Sequence, residues 1–200
     1  MHVLHADAPF RNSVTQAVRE LEKTTAAEVV VVLAVRSGSY RDVAYATGAA
    51  VAWATLLFFI FSPATYSPLW VPVEMAALFA AAAWLVHRTP ALARLLTSTK
   101  RREAQVAQAA QAAFVEERVD RTRERTGILV YVSLLERRIE ILPDAGIDGR
   151  VAPGTWSPVD VRTGDDVLRE LKRIGEVLAQ KVPPTGANPD ELPDAPRIRG

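Results

Sequence analysis

The 200 residues carry 24 Lys and Arg against 23 Asp and Glu, a net charge of +1. That balance excludes the strong basic field that draws a protein onto nucleic acid, so no nucleic-acid partner is expected. The chain has no Cys, which excludes disulfides and thiolate metal sites and fits a reducing compartment.

The opening residues Met1-His2-Val3-Leu4-His5-Ala6-Asp7 hold no basic stretch ahead of an apolar core, so no cleavable signal is expected. Asp7 is suited to cap the free N–H groups of a helix start, and Pro9 is tolerated in the first turn. Phe10, Val14, Ala17, Val18 and Leu21 recur at helical spacing and predict an amphipathic helix to about Lys23. Residues 27–35, AEVVVVLAV, form a short β-branched run, the pattern of a strand buried on both faces. Ser37-Gly38-Ser39 ends it.

Between Asp42 and Glu74 there is no Asp, Glu, Lys, Arg or His. Two apolar halves each approach the roughly 20 residues that a helix needs to cross a bilayer core. Pro63 and Pro68 break the chain between them. A soluble helix keeps one wet side, and these keep none. The expectation is a transmembrane hairpin over 43–88, with membrane lipid as its partner. Glu74 falls early in the second span beside Trp70, at headgroup depth, where its cost is small; a functional intramembrane carboxylate is the alternative. Arg36 and Arg41 precede the first span, and His87, Arg88, Arg94, Lys100, Arg101 and Arg102 follow the second, whereas the turn has no Lys or Arg. This bias predicts a multi-pass protein of the bacterial inner (plasma) membrane, with both termini cytoplasmic and the turn outside.

Beyond Pro90, the side chains Ala91, Leu92, Leu95 and Leu96 are expected at the membrane surface, with Arg94 snorkelling. Residues 100–125 are rich in Ala, Glu, Gln and Arg and predict one long helix with an apolar side at Val106, Ala110, Ala113 and Phe114. Residues 127–134 predict a second strand. Glu136-Arg137 makes a turn, and residues 138–142 predict a third strand at the edge, Ile139 and Ile141 inward and Arg138 and Glu140 on a wet face. Residues 143–149 read as a loop whose glycines take special backbone angles. Thr163 or Asp165 caps a last helix striped with Val167, Leu168, Leu171, Ile174 and Leu178. Residues 183–200, rich in Pro and Asp, are expected to be disordered.

The order helix, Thr25-Ala26-Ala27-Glu28 leading a Val-rich strand, helix, then GILVYVSLLERRIEILPDAGI over 127–147, resembles the TPM domain family (TPM phosphatases). That family includes thylakoid proteins of photosystem II repair and bacterial membrane proteins of the YgcG type. The resemblance implies an α/β fold, a small sheet flanked by helices, here interrupted by a two-helix transmembrane hairpin. The division is then 1–42 and 89–182 for the two parts of one cytoplasmic domain, 43–88 for the hairpin and 183–200 for the tail.

The resemblance also implies Ca2+ binding, as in some family members, or phosphatase activity, as attributed to others. The matching acidic positions are Glu136, Asp144 and Asp148, with Glu140 nearby. A hard cation takes several oxygens at about 2.3–2.6 Å. The alternative for the same residues is structural: Asp144 organises its own turn, and Glu136 is a solvated charge in a hairpin turn. A phosphatase needs a nucleophile or metal-activated water and a cationic clamp. The sequence offers no Cys and no Walker-type loop, and its His residues sit at the start and at the membrane edge. The leading expectation is therefore a non-catalytic binding, assembly or maintenance factor whose partner is another membrane protein or a second copy of the chain. A metal-dependent phosphatase is the alternative, and a transport or channel subunit built around Glu74 is third.

Overall fold

The computed structural model describes residues 7–184 and 192–199. In chain order the elements are α1 (Ala8–Glu22), β1 (Glu28–Ala34), α2 (Arg41–Phe61), α3 (Val71–Arg88), α4 (Pro90–Leu96), α5 (Thr99–Glu116), β2 (Gly127–Ser133), β3 (Arg138–Pro143), α6 (Ala145–Asp148), β4 (Val159–Asp160), α7 (Gly164–Lys181) and β5 (Arg197–Arg199). The chain divides into two compact units: 1–37 with 103–200, and 38–102.

The first unit is a mixed α/β domain, as the sequence predicts. Among the described residues its sheet has five strands in the order β4-β3-β2-β1-β5. β1 runs parallel to β2 and β5, and β3 is antiparallel to β2 and β4. All seven residues of β1 and of β2 are buried. Because successive side chains of a strand point to opposite faces, Val29, Val31 and Leu33 pack with Val14 and Val18 of α1 and Leu171 and Ile174 of α7. Val30, Val32 and Ala34 pack instead with Val106, Ala110 and Ala113 of α5. The sheet is thus covered on both faces, which explains why its central strands read as unbroken apolar runs.

The helix ends follow sequence chemistry. The Asp7 carboxylate accepts from the Phe10 N–H at 3.0 Å. Thr163 and Asp166 form a reciprocal capping box at the start of α7.

Four expectations are corrected. First, α5 stops at Glu116, well before Arg125. Arg118 takes a left-handed conformation, φ 58°, of the kind that terminates helices. Val119 then turns into the α5-side core, fully buried. Second, β3 is not the sheet edge: β4 pairs with it, and Arg138 and Glu140 are only half-buried rather than wet. Third, 145–148 is a helical turn, α6, capped by Asp144. Gly146 is needed there for close approach, not for a special angle: a Cβ would meet the carbonyl oxygens of Glu124 and Arg125 at 2.5 Å. Fourth, the tail is not disordered throughout. Residues 197–199 form β5, which pairs with Val32–Ala34, and the Val35 N–H donates to the Arg199 carbonyl at 2.9 Å. Arg199 reaches Glu116 at 2.6 Å and Glu117 at 2.7 Å. Residues 185–191 and 200 lie outside the described residues.

The second unit holds α2, α3 and α4. α2 and α3 meet along small buried residues, Ala44, Gly48 and Ala83. A Cβ on Gly48 would lie 2.8 Å from the Phe79 carbonyl oxygen, so only glycine permits this approach. Most other apolar side chains of the pair, including Trp53, Phe58, Ile60, Trp84 and Leu85, face outward. In α4, Ala93 is buried while Leu95 and Leu96 are exposed, and Leu92 is half-buried.

Candidate functional site

Polar side chains gather at the carboxyl ends of the parallel strands β1 and β2, the position at which α/β sheets usually hold ligands. Ser133 ends β2, Tyr131 lies two residues earlier, and Ser37 follows β1. Glu136 reaches back from the β2–β3 turn. Its carboxylate is buried at 6 % exposure. The Ser37 N–H donates to both of its oxygens, at 3.1 and 3.2 Å, and the Ser133 hydroxyl donates to it as well. The Ser37 hydroxyl lies 2.7 Å from that of Ser133 and 3.2 Å from that of Tyr131. Burial pushes the Tyr131 phenol up, against the opposing effect of the Ser37 contact. The reading of Glu136 as a solvated turn charge is therefore corrected. It straps the segment after β1 to the β2–β3 turn.

Asp144 sits at the other end of the hairpin. In the β2–β3 register Ser133 is opposite Arg138, and Ile128 is opposite Pro143. A strand of this length separates Glu136 from Asp144 by roughly 20 Å. Asp144 is buried and caps α6 through the Ala145 N–H at 2.7 Å. Its two oxygens take a fork of bonds from Arg125, at 2.7 and 2.8 Å. Burial acts to raise its pKa, but the Arg125 guanidinium and the Ala145 N–H outweigh it and leave the carboxyl below its usual range. Asp148, one turn along α6, is exposed. The acidic positions thus fall into two separate places, and among the described residues no three His, Cys, Asp or Glu side chains cluster to hold a metal ion. The residues present do not fit the Ca2+ site that Glu136, Asp144 and Asp148 were expected to form.

Arg138 makes a third group, 3.2 Å from Glu103, 3.4 Å from Asp160 and 3.7 Å from Glu140. Burial raises the Glu140 pKa, and Arg138 opposes the shift without cancelling it.

In the second unit, Glu74 is exposed in the first turn of α3, and Trp70 precedes that helix without a side-chain capping bond and is largely exposed. The Arg88 guanidinium lies over the Trp84 ring, 5.8 Å from its centroid. Arg101 clamps Asp42 with two bonds of 2.6 and 2.9 Å.

Sequence reasoning missed Ser37, Tyr131 and Ser133 as members of a site. The signal was present in one form: a hydroxyl residue follows or closes each otherwise apolar parallel strand.

The fold defines the class as a mixed α/β domain carrying two long apolar helices between β1 and β2. The NMR structure of the BA42 protein from the psychrophilic bacterium Bizionia argentinensis is similar, with a TM-score of 0.52, 16 % sequence identity, and 96 % of this chain and 94 % of that one covered. At that identity the likeness is one of fold. No family model and no curated protein matches the sequence.

Proposed function

We propose that the chain is a multi-pass protein of the bacterial inner membrane, anchored by α2 and α3, whose TPM-like α/β domain serves in the cytoplasm as a non-catalytic binding, assembly or maintenance factor for a membrane complex. One observation carries the anchor: the most apolar stretches of α2 and α3 have mean hydropathies of 1.8 and 1.2, yet only 11 % of each is buried. The core helices of a soluble protein bury such surface, whereas a lipid-facing pair leaves it outward. The cations of the flanks and their absence from the turn support the orientation.

The binding role is supported by what the polar groups are already doing. The Glu136 carboxylate is engaged by Ser37 and Ser133, and Asp144 is engaged by Arg125 and its own helix. Neither is left poised as a base, and their separation weighs against the phosphatase alternative. Affinity purification of the full chain from membranes in several mild detergents tests the role. A partner membrane protein, or a stable homo-oligomer, that survives all of them is expected. Recovery of the monomer alone in every detergent contradicts it, and phosphoester turnover lost on Asp144→Asn replaces it with the phosphatase reading.

A further inference from the structure

Between the first turn of α2 and the last turns of α3 lies a cavity of about 320 Å³ lined by Arg41, Ala44, Tyr45, Ala83, Trp84 and His87. We propose that it is a binding site for the phosphate headgroup of an anionic phospholipid, a reading that rests on the membrane anchorage proposed above.

The chemistry of the lining is specific. Ala44 and Ala83 are small and buried, and they open the space between the two helices. Arg41 brings a permanently charged fork whose geometry matches phosphate oxygens. His87 adds a ring N–H donor from the facing helix. Tyr45 and Trp84 are exposed, apolar in body and polar at one edge, the side chains that settle at headgroup depth. No lining residue is acidic. Asp42, next to Arg41 in the chain, is held by Arg101 through two bonds of 2.6 and 2.9 Å. Arg88, stacked on Trp84, adds a second positive charge beside the cavity. Basic pockets between membrane helices on the cytoplasmic side are where anionic headgroups dock. All the lining side chains except the two alanines are exposed, so a lipid can enter sideways from the leaflet.

The test is native mass spectrometry of the full chain in detergent, titrated with phosphatidylglycerol and with phosphatidylcholine of the same acyl chains. One phosphatidylglycerol is expected to be retained in preference. Arg41→Gln is expected to weaken it about fivefold, the worth of one cation at a membrane surface. Arg41→Gln with His87→Ala is expected to abolish the preference. Trp84→Leu, which keeps both of those groups, is expected to weaken retention as well. Lys100→Gln, outside the cavity, is expected to leave it unchanged. Equal retention of the two lipids overturns the site, as does equal weakening by Lys100→Gln, which reports diffuse attraction only. Displacement by millimolar inorganic phosphate overturns the lipid assignment in favour of a soluble phosphate source. Flotation of the full chain with phosphatidylcholine vesicles separates the two proposals: a chain that floats but shows no lipid preference sinks the pocket alone, and a chain that does not float sinks the anchor.

Discussion

Truncating Glu136 to Ala removes the acceptor for the Ser37 N–H and the Ser133 hydroxyl at a site only 6 % exposed. Hydrogen bonds to a charged group are worth about 1.5–3 kcal/mol each, and the two share one carboxylate, so their losses do not simply add. The expected cost is about 2–4 kcal/mol of stability in the α/β unit. Glu136→Gln keeps one oxygen for the Ser37 N–H and is expected to cost about half as much. The measurement is native-state hydrogen exchange of the full chain in mild detergent, read at the β2 amides, which open only when the sheet does. The α2 and α3 helices belong to the other compact unit and serve as an internal control. A loss below about 0.5 kcal/mol for Glu136→Ala, the size typical of a solvated surface change, refutes the strap.

Acid should act on Asp144. Its folded pKa lies below the usual carboxylate value, so its contribution is present at neutral pH and is lost as pH falls from about 4 through the lowered value; Asp144→Asn is expected to flatten the acid limb of a stability–pH curve, and an unchanged limb contradicts this. Glu140 has the opposite sign. Its raised pKa means that ionisation costs stability as pH rises above about 4. Glu140→Gln is therefore expected to leave stability at pH 7 unchanged or higher, and a loss in urea denaturation contradicts it. Gly146→Ala forces a methyl against two carbonyl oxygens at 2.5 Å and is expected to cost about 1–3 kcal/mol or more by chemical denaturation; a neutral outcome contradicts the close approach. Deleting residues 192–200 removes β5, and exchange at the Val35 amide, now bonded to Arg199, is expected to accelerate while the β2 amides stay protected.

The elements that sequence revealed are those whose pattern is local. The Val run of β1, the alternation of β3, the stripe of α7 and the apolar hairpin, charge-free from 43 to 73, each announce themselves through periodicity or composition. The end of α5 does not, because the stop is a left-handed Arg118 in a stretch of good helix formers, with neither Gly nor Pro to mark it. β5 was hidden for another reason: three residues carry no period, and their conformation comes from the β1 edge and from Glu116 and Glu117 at and just past the end of α5. Glu136 and Asp144 were visible as acids, but whether they meet depends on β3 lying straight between them. The partnership of Ser37 with Glu136 spans 99 residues and no local rule reaches it.

The central claim is that α2 and α3 cross a bilayer and return. Because the chain has no Cys, single cysteines placed at Thr65 in the turn and at Ser157 in the α/β unit give clean reporters in intact cells, read with a membrane-impermeant maleimide. Labelling at Thr65→Cys, with Ser157→Cys labelled only after lysis, is the expected result. Labelling of Ser157→Cys from outside, or protection of Thr65→Cys until lysis, contradicts the account.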